Sequence, residues 1–293
     1  MQIDLIETFL DLVETRSFNR TAERLGVTQS TVSARVVALE TAVGARLFVR
    51  SRAGTELSTE GQRFESHARL LRADWNEAKR AVVTSGDSAL TLRIGIQNDL
   101  AAAYIGDLVA EIRRVLPQAA LYLEPDYSAQ MCADLASGAQ DFAVMFSPKP
   151  HPDLHFASIG ELPYRLISSD ATTRAAINPA TYIRAHFSPA FDQVHREALP
   201  ELASAALSIG QSATITSLLT AMGGTGFVMA TAAEDLVAEG RFGFVEDVPP
   251  LSQPLFAAMP LRHRTNRIHR RLLKIASRTF NTRIPRDPVK AGA

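Results

Sequence analysis

Residues 16–40 read RSFNRTAERLGVTQSTVSARVVALE. Thr21, Ala22 and Leu25 put small and apolar groups on one side of a short helix, and Gly26 supplies the left-handed residue that ends it. Thr28 is a good N-cap for a second helix, in which Val32, Val36, Leu39 and Val43 recur at spacings of four, three and four. That recurrence fits the helical period and marks one buried face. The stretch therefore predicts two short helices joined by a glycine turn.

With Val32 pointing inward, helical geometry turns Ser30, Ser33, Ala34, Val37 and Thr41 outward and leaves Arg35 at their flank. This face is small, hydroxylated and nearly free of acid. Such chemistry suits the major groove, where hydroxyls and amides meet base edges or phosphates and Ala34 or Val37 can touch thymine methyls. Gln29, in the first turn, suits adenine. A recognition helix contacts bases mainly through its N-terminal residues, so residues 28–33 carry most weight. An ordinary antiparallel helix pair inside a larger core has the same local pattern, and the following residues decide between the two.

After Gly44 comes ARLFVRSRAGTELSTEG, residues 45–61. Residues 47–49 read as a strand, Ala53 and Gly54 as a turn and residues 55–57 as a return strand, a small wing studded with Arg46, Arg50 and Arg52. Between residues 16 and 52 there are seven arginines against two acids, Glu23 and Glu40. Phosphate neutralisation needs such a cluster. The expected DNA contacts are Arg16, Ser17, Asn19, Thr28, Gln29, Ser30, Thr31, Ser33, Ala34, Arg35, Arg50 and Arg52.

Phe9, Phe18, Ala22 and Leu25, the run from Gln29 to Ser33, then Leu39, Glu40, Gly44, Leu47, Phe48, Arg50, Leu57, Thr59 and Gly61 together resemble the winged helix-turn-helix and linker helix of LysR-type transcriptional regulators. Thr21 stands where that family most often has alanine, and Ser30-Thr31 replaces a frequent proline-alanine pair. The resemblance implies an α/β protein: an N-terminal winged helix-turn-helix (residues 1–58), a linker and dimerisation helix with hinge (59–87), and a two-lobed effector domain similar to periplasmic solute-binding proteins.

Behind the wing, Ser58 or Thr59 can cap a helix on which Phe64, Ala68, Leu71, Trp75, Ala78 and Val82 follow at spacings of four, three, four, three and four. This is an a/d seam. It covers under three heptads, and a single amphipathic helix packed on its own domain gives the same pattern. Placed behind a DNA-binding head, it is expected to pair two chains into a homodimer, with a homotetramer as the higher form. A two-fold dimer presents its recognition helices about 34 Å apart, and its site is an imperfect inverted repeat.

The formal net charge of 0 hides an uneven distribution. Residues 1–86 carry 12 basic and 11 acidic side chains, residues 87–261 carry 9 and 19, and residues 262–293 carry 10 and 1. An acidic body thus lies between a mildly basic head and a strongly basic tail. In the tail, Ile268, Leu272, Ile275 and Phe280 fit a buried helical stripe with basic residues opposite; residues 281–293 are expected to be disordered. No apolar run has membrane length, and no signal peptide is visible. A lone cysteine, Cys132, fits a reducing cytoplasm.

A polar segment at residues 84–88 ends the seam. Strands are expected at 92–96, 120–124 and 142–146, with helices at 100–116 and 131–137 between them. That alternation means parallel sheet with crossovers. A second lobe, residues 162–265, begins around 162–168 and continues through strands at 181–184 and 206–209, a helix near 215–222 and the glycine-rich stretch 223–229. A strand at 255–260 returns to the first lobe, residues 88–161 plus 266–293, whose last helix spans 266–280. Asp141 and the glycine-rich turn resemble features of the same family, although Ala230 replaces an often-found proline.

Ligands gather beyond the carboxyl ends of parallel strands. Gln97, Asn98 and Asp99 end the first strand, Ser128 and Gln130 follow the second, Phe146 and Ser147 the third, and Gln211, Ser212 and Thr214 precede a helix of the second lobe. Amides at those helix starts suit an anion, and the same hydroxyls and amides also serve as plain caps. The resemblance makes this the cleft for a small-molecule effector of unknown identity.

No other chemistry competes. The histidines form no metal-ligand cluster, no cofactor motif is present, and there is no nucleophile elbow for a hydrolase. Cys132 lacks a resolving partner and reads as a buried structural thiol. The expected function is a sequence-specific regulator with double-stranded promoter DNA as partner and no catalysis. The alternative is a small-molecule-binding or catalytic α/β protein whose N-terminal helices mediate protein contacts.

Overall fold

A computed structural model describes residues 2–51, 54–83 and 90–282. Expectations for Arg52, for the side chain of Arg50, for the polar segment at 84–88 and for the tail beyond residue 282 fall outside the described residues. The chain divides into two compact units, Met1–Asp87 with Ala133–Ala139, and Ser88–Cys132 with Gln140–Ala293.

The first unit contains α1 (Ile3–Thr15), α2 (Phe18–Leu25), α3 (Gln29–Val43), β1 (Phe48–Ser51), β2 (Gly54–Leu57) and α4 (Thr59–Val83). Its ends are set by local chemistry. The Ser17 hydroxyl accepts from the Arg20 amide at the start of α2, and Thr28 does the same for Thr31 at the start of α3. Gly26 (φ 64°) and Gly44 (φ 77°) close α2 and α3 in the left-handed region. β1 and β2 pair antiparallel, Phe48 opposite Leu57. Ile6, Phe9, Leu10, Leu39, Leu47 and Ala68 form the core of this head, with the Phe9 ring 5.2 Å from those of Phe48 and Phe64. Burying a side chain of that size stabilises by about 1.5–3 kcal/mol.

The expected seam on α4 divides. Phe64 and Ala68 are taken up by the head core, because this end of the helix lies against α1 and β2. Leu71, Trp75, Ala78 and Val82 remain exposed, Trp75 at 45% and Val82 at 87%. Val43 is a second correction. Expected on the buried face of α3, it is 40% exposed, because it is the last helical residue and Gly44 turns the chain away before anything can cover it.

The rest of the chain, which is the second unit apart from the part of α6 after Cys132, runs β3 (Leu90–Gln97), α5 (Asn98–Val115), β4 (Ala119–Asp126), α6 (Ser128–Ser137), β5 (Phe142–Phe146), β6 (Leu154–Ser168), β7 (Tyr182–Ala185), α7 (Pro189–Ala198), β8 (Leu207–Ile209), α8 (Ser212–Met222), β9 (Thr225–Met229), α9 (Ala230–Ala238), β10 (Gly243–Phe244), β11 (Leu251–Pro260) and α10 (Arg267–Thr282). Its sheet has the order β4-β3-β5-β11-β6-β9-β7-β8, with β10 on β6. β3 pairs parallel with β4 and β5. At the other side β7 pairs parallel with β8 and β9. Between these parallel groups β6 and β11 run antiparallel to each other over their length.

Two α/β lobes are thus joined by two long strands rather than by loops. β6 begins at Leu154 and passes into the second lobe without a break, so the crossing expected at residue 162 lies inside one strand. The return is likewise inside β11. The β6–β11 register shifts between Leu255 and Phe256, opposite residues 158–160, and Gly160 sits at φ 140° there, the mark of a bulge. On α10, Leu272, Ile275, Ala276 and Phe280 are buried, and Phe280 meets Tyr104 of α5 at 4.8 Å.

Candidate DNA interface and effector cleft

On α3, Val32, Val36 and Leu39 are buried, so the opposite face is presented outward. Gln29, Ser30, Ser33, Ala34, Val37 and Ala38 line a shallow depression on it, with Val37 58% exposed. The Thr28 hydroxyl lies 2.8 Å from those of both Ser30 and Thr31. These three groups therefore cap the helix and hold one another as well as facing out. Thr41 returns its hydroxyl to the Val37 carbonyl at 2.8 Å.

A second groove lies between α3 and the wing, lined by Phe18, Ser33, Val37, Glu40, Arg46 and Val49 among others. Glu40, the one acid on this side of α3, accepts from the amides of Leu47 (2.7 Å) and Phe48 (3.2 Å). Its charge is spent on fixing the start of β1. Arg46 borders the groove and is exposed; sequence reasoning noted its charge without including it among the contacts.

Arg35 behaves differently from expectation. Its guanidinium reaches Asp4 at 3.2 Å and the Thr8 hydroxyl at 3.3 Å, so it turns back onto α1. Arg16 takes a left-handed conformation at the end of α1 (φ 53°), and its carbonyl accepts from the Thr55 amide at 3.1 Å. This ties the wing to the first helix and leaves the Arg16 side chain exposed, as is Asn19. Ser17 is occupied as the cap of α2.

In the second unit, strand ends and helix starts meet as the topology requires. Gln97 is buried, and its side-chain oxygen accepts from the Ser128 hydroxyl at 2.9 Å. Ser128 also reaches the Phe146 carbonyl. The Phe146 ring itself is core, so only its carbonyl is offered at this strand end. Ser147 follows with a left-handed φ of 36°. Asn98 and Thr214 are half-buried and Gln130 is exposed. Gln211 precedes α8 and accepts from Thr214 at 3.2 Å.

Asp99 and Ser212 are brought together across 113 residues: the Ser212 amide donates to Asp99 Oδ1 at 2.5 Å, and the Tyr164 hydroxyl donates to Oδ2 at 2.6 Å. Burial pushes the Asp99 carboxyl up to about 6, and its two hydrogen bonds only partly offset this. Burial, and after it the contact with Asp99, drives the Tyr164 hydroxyl well above its ordinary value. Tyr164, Ser188 and Gln253 were missed by sequence reasoning. Ser188 caps α7 and donates to Gln253 Oε1 at 2.5 Å. A tyrosine inside an apolar strand carries no local signal of such a role.

Two other features have structural duties. Asp141 accepts from the Arg93 amide at 2.8 Å and so joins β5 to β3. At Gly224 (φ 98°) a Cβ would stand 2.4 Å from the Thr181 carbonyl, which explains the glycine-rich turn. The Cys132 thiol lies 3.7 Å from Met145 sulfur and burial raises its pKa. Among the described residues no three His, Cys, Asp or Glu side chains are placed to hold a metal ion, and no helix is long and apolar enough to cross a membrane.

Both parts of the chain are similar to known proteins. Residues 3–62 match the family described as bacterial regulatory helix-turn-helix protein, lysR family, and residues 85–281 match the LysR substrate binding domain. The chain is 28% identical over 287 residues to the HTH-type transcriptional regulator HdfR of Yersinia enterocolitica, covering 94% of this chain and 96% of that one. Full-length LysG from Corynebacterium glutamicum with bound effector Arg is similar in fold at 21% identity and a TM-score of 0.59, covering 98% of this chain and all of LysG. A full-length OxyR from Pseudomonas aeruginosa is similar at 19% identity and a TM-score of 0.56, covering 94% of this chain and 98% of OxyR.

Proposed function

Because the chain belongs to the LysR family of bacterial transcriptional regulators, we propose that it acts as a two-fold dimer, or a dimer of dimers, that sets α3 of each head into successive major-groove faces of promoter DNA. It is a regulator with a DNA-binding head and an effector-binding body, and the family is not an enzyme class. In the proposed mechanism a small molecule in the cleft changes how the lobes are arranged, and with them the spacing or bend that paired heads impose on DNA. A ligand acts in this way only if its affinity differs between the two arrangements.

The observation that carries the reading is the outer face of α3, where Gln29, Ser30, Ser33 and Ala34 surround a depression without a single acid. Residues 28–34 read bases, and Arg46, Arg50 and Arg52 contact phosphates. The exposed Leu71, Trp75, Ala78 and Val82 of α4 are the surface through which two chains pair.

Electrophoretic mobility shift of the full chain with DNA upstream of its own and the neighbouring gene tests this. A sequence-selective shift is expected; its absence, with the chain folded, overturns the reading. Arg50→Ala or Arg52→Ala should weaken binding on every sequence and lower the salt slope by about 1 each. Genome-wide mapping of bound sites would then name the controlled genes.

A further inference from the structure

The N-terminus of a helix is a natural anion site, with free amides and the positive end of the dipole directed at the ligand. In α8 that site is already filled. The amide of Ser212, its first residue, is bonded to a carboxylate oxygen of Asp99, which lies in the first turn of α5. The other oxygen is held by Tyr164 of β6. Asp99 is 3% exposed and Tyr164 is fully buried, with the Tyr164 ring stacked 4.6 Å from Phe187. The Ser212 hydroxyl is committed as well, accepting from the Met229 amide at 2.8 Å.

If Asp99 were only a cap for its own helix, its oxygens would serve amides of α5. Both instead reach other elements, Tyr164 of β6 and Ser212 of α8. Neither partner is a cation, so the charge of Asp99 is spread over one amide and one phenol and is not neutralised by a basic side chain. The neighbouring Gln97, Ser128 and Gln211 are uncharged. An acid brought to this helix start would find the Ser212 amide already bonded to a carboxylate and would be repelled by its charge.

Resting on the reading of the cleft as an effector site, we infer that Asp99 is a resident anion: it fills the anion site at the head of α8, ties the lobes together without an effector, and turns the cleft toward uncharged or cationic small molecules and away from acids.

The test uses the full chain near pH 8, with sodium formate as probe and sodium chloride at equal ionic strength as control. Asp99→Ala vacates the site; Asp99→Ser also vacates it while keeping a hydroxyl for Tyr164, and is read the same way should the alanine variant not fold. Asp99→Asn fills it with a neutral isostere. The vacated variants should melt below wild type and recover several degrees in formate but not in chloride, while wild type and Asp99→Asn stay unmoved. Wild type stabilised by formate as much as the vacated variants, or vacated variants indifferent to formate, would overturn the inference. Mobility shift of the same wild-type preparation keeps the outcomes separate: loss of selective DNA binding counts against the regulator reading, whereas failed rescue with DNA binding intact counts against the resident anion alone.

Discussion

Arg35 of α3 and Asp4 of α1 form an ion pair at 3.2 Å, which turns the cation at the flank of the recognition helix toward its own head. The pair is partly exposed, and such pairs contribute about 1 kcal/mol or less. Asp4→Ala should therefore cost little stability in urea denaturation. It should also free Arg35, raising affinity for non-specific DNA and steepening the salt slope by about 1. An unchanged slope would mean that Arg35 does not reach phosphate even when released.

Arg46 and Gln29 should separate affinity from specificity. Removing Arg46, beside the groove between α3 and the wing, should weaken binding evenly across sequences. Gln29→Ala should change preference at one or two base pairs, at about 1–3 kcal/mol for a lost bidentate contact. Parallel binding-site selection with each variant checks the distinction, and a uniform loss for Gln29→Ala would contradict base reading.

Gly61 holds the join between wing and linker helix. A Cβ there would stand 2.1 Å from the Leu47 carbonyl, and the atom it meets is backbone, with little freedom to move aside. Gly61→Ala should destabilise the head by about 1–3 kcal/mol, the usual cost of overpacking, and reduce DNA binding. Equilibrium denaturation with a head-specific probe measures it; a wild-type midpoint would show that the join relaxes at no cost.

Trp75 is the single tryptophan and lies on the exposed part of α4. If two chains pair there, its emission should shift to the red on dilution, and Trp75→Ser or Leu71→Ser should yield monomers by sedimentation. Emission independent of concentration across a measured dimer–monomer transition would place the pairing surface elsewhere.

Stability should respond to acid through two opposing groups. Asp99, pushed up to about 6, holds its proton more tightly folded than unfolded, so protonating it adds an increment of stability that is complete below the ordinary carboxylate range and is lost as pH rises through about 6, while the hydrogen bonds of the ionised form remain. His269 is pushed down to about 4 by burial, with His263 adding to the effect. Its contribution is complete above the ordinary histidine value and is lost as pH falls toward 4. Melting temperatures across that interval should fall more steeply with acid in Asp99→Asn than in wild type, and less steeply in His269→Gln. Parallel profiles would remove both groups from the account.

The parts of the molecule set by neighbours in sequence were readable from it. Thr28 as a cap, Gly26 as a stop, and Val32, Val36 and Leu39 as a buried face all follow from contacts within a turn or two. Phe64 and Ala68 misled because a helical stripe says which side is buried and not what buries it. Arg35 misled because its partner lies 31 residues earlier. For Asp99, the end of the strand was legible, but Tyr164 and Ser212 were not, since no local pattern records which distant donors a carboxylate meets.

The two strands that pass through both lobes also limit how such a protein can diversify. An exchange of gene segments at the lobe boundary would cut β6 and β11 in mid-ladder and leave four unpaired ends, whereas an exchange of the whole sheet-bearing unit would cut neither strand. The smallest block that can be exchanged without breaking either strand is therefore the entire body.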